Sequence, residues 1–178
     1  GAGFVRDRNK FTDGTSLALG ASAGWFLTSH VETRAQLASY RSETGGSNPA
    51  DEPGDGFDES SADVRRNTAE LRVNAYLPYD IVTTVGVEGE RQRGSTTFDS
   101  DGPFGPFSSE SSAKRSNTAY YAQLMASPTD AINASAGVRV DDNRQFGSFT
   151  TGRMSASMRV ARAVRVRGAY GTGFKEPT

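Results

Sequence analysis

Residues 68–88 read TAELRVNAYLPYDIVTTVGVE, and their pattern is the clearest sign of secondary structure in the chain. Before the sequence PYD, apolar residues alternate with polar ones, as Leu71 and Val73 do with Glu70 and Arg72. After it the alternation resumes in IVTTVGVE. A period of two residues is the signature of a β-strand, and Pro-Tyr-Asp at 78–80 supplies the residues of a tight turn. The stretch therefore predicts a β-hairpin with one apolar and one polar face.

The same alternation recurs on both sides of this hairpin and predicts eight strands in all. Most of them exceed the roughly 5–6 residues of a strand in a globular sheet. They also reach the roughly 9–11 residues that a strand needs to cross a bilayer. The predicted strands are residues 16–26, 30–41, 64–77, 81–93, 114–127, 132–141, 153–160 and 164–170.

The predicted connections are sorted by length. Short turns at one end fall at residues 28–29, 78–80, 128–130 and 161–163. At the other end lie segments rich in Gly, Ser, Asp and Pro, chiefly 42–62 and 94–113, which we expect to be long loops. Short turns on one side and long loops on the other are typical of an up-and-down barrel that crosses a membrane. We therefore expect an all-β, antiparallel, transmembrane β-barrel.

The two faces of the predicted strands suit lipid and water. One face carries Ala, Val, Leu, Ile and Met, and the other carries Arg, Glu, Asn, Gln and Ser. Aromatic residues lie near strand ends, as in interfacial girdles, at Trp25, Phe26, Tyr40, Tyr76, Tyr79 and Tyr170. Eight strands can close a small barrel filled by its own side chains, but these long, charged strands fit a larger barrel better. We therefore expect a part of a larger barrel.

The composition excludes several classes of function. The 20 basic and 21 acidic residues give a formal net charge of −1, which argues against a dedicated nucleic-acid binder. The chain has no Cys and one His, His30, so no disulfide, no Cys- or His-based metal cluster and no Ser/His/Asp set is visible. No apolar run approaches the roughly 20 residues of a membrane helix. We expect no enzyme activity, no catalytic residue, no cofactor and no nucleic-acid partner.

The acidic segment DEPGDGFDESSAD, at 51–63, raises the question of calcium. Asp51 and Asp55 fall at EF-hand-like spacing, but Pro53 and Ala62 stand where the pattern requires ligands. We interpret the segment as a solvated loop, with an ion site as the alternative.

The last segment of the chain, VRGAYGTGFKEPT at 166–178, resembles one that recurs in TonB-dependent outer-membrane receptors. In that family a barrel strand ends in Tyr-Gly-Thr/Ser-x-aromatic-Lys-x-Pro, and the branch of cobalamin and siderophore receptors is the most similar. The matching residues are Tyr170, Gly171, Thr172, Gly173, Phe174, Lys175 and Pro177. The chain departs from the pattern at Glu176, where we expect Ala in most relatives.

The resemblance implies a bacterial outer-membrane barrel of about 22 strands, plugged by an N-terminal domain, that imports a ferric siderophore or cobalamin. Its partners would be outer-membrane lipid, the TonB complex through an N-terminal region, and an iron chelate or corrinoid as ligand. Residues 1–178 would then be one partial barrel domain without the plug, the TonB box and the C-terminal strands, with both chain ends as truncations. Segments 42–62 and 94–113 would face outside and could contact the ligand.

The polar face supplies the candidate lumen-facing residues. They are five arginines on neighbouring predicted strands and one opposite-charge pair: Arg139, Arg153, Arg159, Arg165, Arg167, Glu70 and Arg72. A cleft lined by one sign of charge attracts the other sign, so the arginines could bind anionic chelates or phosphates. The interpretation that we favour is that they pair with acidic groups of the plug.

Two other functions stay open. A passive outer-membrane porin would show the same charged lumen but would lack a TonB box and plug upstream. A soluble secreted β-sheet adhesin would fold without detergent and would have no lipid-facing girdle.

Overall fold

The computed structural model describes residues 9–50, 56–102, 105–145 and 147–174. Within these ranges the regular structure consists of eight β-strands. They are β1 (Phe11–Thr28), β2 (Val31–Asn48), β3 (Phe57–Leu77), β4 (Ile81–Gly102), β5 (Gly105–Thr129), β6 (Ile132–Asn143), β7 (Gly147–Ala161) and β8 (Val164–Gly171). The described part of the chain contains no helix of the length and apolarity needed to cross a membrane.

The strands form one sheet in which the spatial order follows the chain order, from β1 to β8. Short turns join consecutive strands at 29–30, 78–80, 130–131 and 162–163, and strands joined so tightly must run antiparallel. The register of β6 with β7 is continuous, from Ile132 opposite Met158 to Asn143 opposite Gly147. The predicted all-β, antiparallel, up-and-down architecture is confirmed. The turn at 78–80 lies where it was predicted, and the other three lie within two residues of their predicted places.

The prediction of long loops at 42–62 and 94–113 is wrong for most of both segments. β2 continues to Asn48, β3 begins at Phe57, and only residues 103–104 separate β4 from β5. These segments carry polar side chains on both faces, so the alternation that marks a strand disappears although the backbones still pair. Cross-strand hydroxyl pairs fit this extension, as between Ser61 Oγ and Thr97 Oγ1 at 2.8 Å.

The described residues divide into two compact units. The first unit lies within Gly1–Leu19, Ser39–Asn67 and Gln92–Lys114. The second unit lies within Gly20–Ala38, Thr68–Arg91 and Arg115–Thr178, and it contains all of β6, β7 and β8.

The second unit inverts the burial pattern of a globular protein. Large apolar side chains such as Leu124 and Val138 are exposed, whereas Glu32 and Asp141 are each only 6% exposed. In β6 every even-numbered residue is exposed and every odd-numbered residue is half-buried or buried. An exposed apolar band and a covered polar face are typical of strands that separate lipid from a polar interior.

Candidate functional site

The register of β5–β8 brings their polar side chains to one face of the second unit. Tyr121 of β5 lies opposite Arg139 of β6, and Gln123 lies opposite Gly137. Gly137 in turn lies opposite Arg153 of β7. Directly opposite residues of an antiparallel pair point to the same side. These side chains therefore share one surface, which we call the polar face, and hydrogen bonds extend it to β3 and β4.

Arg139 is held by two carboxylates on the polar face. Its Nη2 donates to Glu88 Oε1 of β4 at 2.8 Å, and its Nε lies 3.0 Å from Asp141 Oδ2. Asn117 Nδ2 also donates to Asp141 Oδ1, at 2.6 Å. Arg139 was predicted to belong to a group of arginines that concentrate positive charge, but these two carboxylates neutralise it. It therefore belongs to a network of opposite charges.

A glycine on β4 lets groups from β3 and β5 meet. The Tyr121 hydroxyl of β5 donates to Glu70 Oε1 of β3, and Arg72 Nη1 lies 3.8 Å from the same oxygen. A Cβ on Gly86 would lie 2.5 Å from Tyr121 Cζ, a distance that real Cβ atoms do not adopt. Glycine in a strand often marks such a close approach. The predicted pair Glu70 and Arg72 thus has a third member, Tyr121.

A second polar bridge crosses β6, and the two bridges border a cavity. Gly137 lies between Gln123 and Arg153 in the register, and Arg153 Nη2 donates to Gln123 Oε1 at 3.0 Å. The cavity has a volume of about 400 Å³, within the range of small-molecule sites. Its charged and polar lining includes Glu70, Arg72, Glu88, Tyr121, Gln123 and Arg153. Donors and acceptors are both present, so the cavity suits a polar solute that carries both.

A separate polar cluster ties β2, β3 and β4 together near the short turns. Glu32 accepts hydrogen bonds from Arg34 Nη2 at 2.8 Å, Asn74 Nδ2 at 3.0 Å and the Tyr76 hydroxyl at 2.7 Å. Thr84 Oγ1 donates to Asn74 Oδ1 at 2.9 Å. Tyr76, predicted as an interfacial aromatic residue near a strand end, lies on the same face as Asn74, and its hydroxyl points to Glu32. The cluster is satisfied internally and acts as a structural tie.

Three of the predicted arginines lie at the short-turn end of the β7–β8 hairpin. Arg159 lies directly opposite Arg165, and Arg167 lies opposite Ser157. All three are exposed. None of them forms an ion pair with another residue that the structure describes. The predicted arginine set thus divides into a neutralised Arg139, a hydrogen-bonded Arg153 and these three.

The motif residues after β8 fasten its end to β7. The Thr172 amide donates to the Gly152 carbonyl oxygen at 2.8 Å, and the Gly152 amide donates to Thr172 Oγ1 at 2.9 Å. Phe174 stacks on Phe149, with 4.1 Å between ring centroids. Thr172 and Phe174 therefore have local structural roles.

The other motif residues divide between the two faces and the chain end. Tyr170 lies on the exposed apolar face, and Gly171 lies on the polar face, opposite Arg153. Gly173 follows β8 outside regular structure. Lys175 and Pro177, also predicted as motif residues, lie outside the residues that the structure describes.

The first unit carries its own charged cluster, at the two ends of the segment 42–62 that was predicted to be a loop. Arg41 of β2 forms ion pairs with Glu43 and, from Nε to Oδ2 at 3.3 Å, with Asp63 of β3. Arg65 Nε lies 3.6 Å from Asp63 Oδ1. These side chains border a cavity of about 540 Å³. Because the charges pair with one another, the surface is polar without a dominant sign.

The calcium hypothesis concerned the acidic segment at 51–63. Asp51, Pro53 and Asp55 lie outside the described residues. Among the residues that the structure does describe, no group of three or more His, Asp or Glu side chains is placed to hold a metal ion.

The role of Gly86 was not predicted from the sequence. The available signal was a glycine within a strand, two residues before the charged Glu88 of the same face, since glycine in a strand often marks a close approach. The partners Tyr121 and Glu88 could not be assigned, because the relation between strands two apart in the sheet has no local sequence signal.

Comparison with known proteins identifies a matching family. A model of the family described as "TonB dependent receptor-like, beta-barrel" matches residues 2–178. No curated protein matches the chain. The matched family is one of receptors and not of enzymes, which confirms the expectation that the chain is not an enzyme.

Solved structures share the fold at low sequence identity. The ferric yersiniabactin uptake receptor FyuA from Yersinia pestis aligns with a TM-score of 0.62 and 17% identity, over 90% of this chain and 27% of that chain. The copper transporter OprC aligns with a TM-score of 0.68 and 14% identity, over 93% and 31% of the two chains. The ferric citrate transporter FecA gives 0.58 and 11%, over 90% and 27%. The chain spans less than a third of each of these proteins, and these identities show the fold alone.

Proposed function

Since the chain belongs to the TonB-dependent receptor-like β-barrel family, we propose that it forms part of the wall of a bacterial outer-membrane receptor that imports a scarce solute. Residues 1–178 are then a partial barrel domain of a longer polypeptide that also carries the plug, the TonB box and the other strands. The TonB complex supplies the energy for uptake through the N-terminal region of that polypeptide.

The observation that carries this proposal is the inverted burial of the second unit. Exposed side chains such as Leu124, Val138 and Met154 form an apolar band. In water a large apolar patch favours association with other surfaces, whereas in a membrane the same band faces lipid. The opposite face, with its buried Glu32 and Asp141, then faces the interior of the barrel. Outer-membrane lipid is accordingly the first partner of the chain.

We propose a ferric chelate as the solute, with a corrinoid as the alternative. Two of the structural neighbours are named for ferric complexes, of yersiniabactin and of citrate. The cavity of about 400 Å³ on the polar face offers arginine donors, Arg72 and Arg153, and carboxylate acceptors, Glu70 and Glu88. Charge-assisted hydrogen bonds of both kinds suit chelates that carry carboxylate and hydroxyl groups.

The test uses the full reading frame that contains residues 1–178. We would express it in a Gram-negative host that lacks its own siderophore receptors and supply ferric siderophores or cobalamin under limitation. The expected result is a protein in the outer-membrane fraction and growth that requires the host's TonB. Uptake that persists without TonB would indicate a passive porin, and a soluble product would indicate an adhesin. Either result would contradict the proposal.

A further inference from the structure

Two basic residues face each other across β4 and β5 in the first unit. Gly102 ends β4 and Gly105 begins β5, so they flank the connection between these two strands. The ninth residue back from Gly102 is Arg93, and the ninth residue on from Gly105 is Lys114. In an antiparallel pair such residues stand directly opposite each other, and their side chains point to the same side of the sheet.

A third basic residue extends this pair onto β3. Ser61 Oγ of β3 lies 2.8 Å from Thr97 Oγ1 of β4. Four residues from each of them, toward the turn at 78–80, are Arg65 and Arg93, which therefore also stand opposite each other. The three basic residues form one line of about 10 Å across three strands. We call this line, Arg65, Arg93 and Lys114, the basic row.

The sheet does not neutralise the basic row. Asp63 Oδ1 lies 3.6 Å from Arg65 Nε, but the same carboxylate also pairs with Arg41 at 3.3 Å. Arg93 and Lys114 are exposed, and neither forms an ion pair with another residue that the structure describes. Like charges that stand opposite each other destabilise paired strands. The row therefore favours an anion that comes from outside the sheet.

The basic row lies where an exposed apolar surface begins. Thr15 of β1 and Arg65 line the same cavity of about 540 Å³, so their side chains lie on one side of the sheet. Leu17 and Leu19 follow Thr15 at alternate positions of β1 and share that side. Both leucines are exposed. Along β1 this side thus changes from polar to apolar beside the row.

We propose that the basic row binds the phosphate group of a membrane-lipid headgroup. The proposal rests on the proposed function, which turns the exposed leucines toward lipid acyl chains. Lipid phosphates then lie at the level where the apolar surface ends and the charged side chains begin. At an anionic membrane surface each Lys or Arg contributes about 1 kcal/mol to binding.

The charges of the row indicate which headgroup fits. Arg93 and Lys114, the two cations without an ion pair to a described residue, match the charge of about −1.5 to −2 on a phosphate monoester. The Arg93 guanidinium can donate two parallel hydrogen bonds to phosphate oxygens. Ser95, two residues further along the same side of β4, lines the cavity with Arg65 and adds a hydroxyl donor. The preferred ligand is therefore a lipid with a terminal phosphate.

The test is native mass spectrometry of the full receptor in detergent. The receptor is mixed with equal amounts of phosphatidic acid, which has a phosphate monoester, and phosphatidylcholine with the same acyl chains, in which choline neutralises the phosphate. The native receptor should retain phosphatidic acid preferentially. Arg93→Gln and Lys114→Gln should each lower this preference about fivefold, which corresponds to about 1 kcal/mol per basic residue.

The matched control is Arg115→Gln. Arg115 follows Lys114 directly in β5, so its side chain points to the other face of the same strand. The substitution removes the same charge and should leave the lipid preference unchanged. Lys114→Arg keeps the charge of the row and should retain the preference as well.

Three results would overturn the headgroup site. The first is equal retention of the two lipids by the native receptor. The second is a loss of preference in Arg115→Gln as large as in Lys114→Gln, which would show that net charge and not position decides. The third is displacement of phosphatidic acid by an equal concentration of glycerol 3-phosphate, which would show a site for a small soluble anion. If the variants stay in the outer membrane and support TonB-dependent uptake, these results refute the headgroup site and leave the proposed function intact.

Discussion

At the scale of single residues, Gly86 is the position on β4 where a side chain would clash with Tyr121. It lies between β3 and β5, and it lets side chains from these two strands meet above it. Tyr121 reaches Glu70 past Gly86. This hydrogen bond therefore depends on a position that contributes no side chain.

Gly86→Ala should destabilise the receptor by about 1–3 kcal/mol, the usual cost of overpacking. The new methyl group would lie 2.5 Å from Tyr121 Cζ, so the ring must move away from Glu70. Gly89→Ala, on the same strand with nothing within 4 Å of its Cβ position, is the control and should change stability little. The measurement is the urea-unfolding midpoint of the folded receptor in lipid vesicles.

A double-mutant cycle with Tyr121→Ala checks the cause of this loss. Without the ring, Gly86→Ala should cost at least about 1 kcal/mol less than it does in the native background. Equal costs in both backgrounds would show that the methyl group clashes with something other than Tyr121.

Thr172→Val should loosen the end of the β7–β8 pair. The substitution keeps the shape of the side chain but removes the oxygen that accepts from the Gly152 amide at 2.9 Å. We expect a loss of about 1 kcal/mol and faster hydrogen exchange at Gly152. Thr172→Ser keeps the hydroxyl and should retain most of the protection. Unchanged exchange in the valine variant would contradict the role of the hydroxyl.

At the scale of strands, β2 contains two Glu–Arg ion pairs in different surroundings. The Glu32 side chain is 8% exposed and also binds Asn74 and Tyr76, whereas the Glu43 side chain, paired with Arg41, is 54% exposed. Glu32→Ala should cost more than Glu43→Ala, because it leaves the buried Asn74 amide without its carboxylate acceptor. Glu43→Ala should cost less than about 1 kcal/mol, as exposed pairs do.

Chemical denaturation of the two variants in the same lipid measures this contrast. The Glu32 variant should also expose the Tyr76 amide region to faster exchange, since Glu32 links β2 to β3. Equal losses in the two variants would show that burial does not decide the strength of these pairs.

Strands are predictable from this sequence only where their faces differ. The hairpin around Pro78 could be predicted because Leu71 and Val73 alternate with Glu70 and Arg72, and because Pro and Asp mark the turn. The long strands of the first unit could not be predicted, since segments such as 42–48 and 94–102 are polar on both faces and have the composition of loops. Backbone pairing needs no apolar side chain, so a solvated hairpin can be long without any periodic signal.

For the polar face, the sequence could predict which side chains lie on it but not which of them pair with one another. The alternation along each strand predicted that Glu70, Arg139 and Arg159 lie on the polar face, and they do. It could not show that Glu88 and Asp141 neutralise Arg139 while Arg159 stands opposite Arg165, because the register between strands depends on the assembled sheet.

At the scale of the whole molecule, a charge should have opposite effects on the two faces of one strand. Ser135 and Ala136 are neighbours in β6, similar in size, and point to the polar and the apolar face. Ala136→Arg should cost about 2–4 kcal/mol if the apolar face meets the middle of the bilayer. Ser135→Arg should cost less than about 1 kcal/mol, because water and polar groups can solvate the guanidinium.

Folding yield into lipid vesicles at a series of urea concentrations measures both variants. Similar yields would show that the apolar face does not contact lipid, which would contradict the proposed orientation in the membrane.

The alternation along each strand also bears on how such a chain reaches its destination. In the unfolded chain, before the strands pair, the charged residues Glu70 and Arg72 alternate with the apolar residues Leu71 and Val73. If this segment entered a membrane as a helix, each of its charged residues would cost about 2.5–3.5 kcal/mol at the centre of the bilayer. The secretion channel of the inner membrane would therefore not insert the chain as a helix, and would release it on the far side of that membrane. In the proposed receptor the apolar surface forms only when the strands pair, so the time at which the chain folds would decide which membrane it enters.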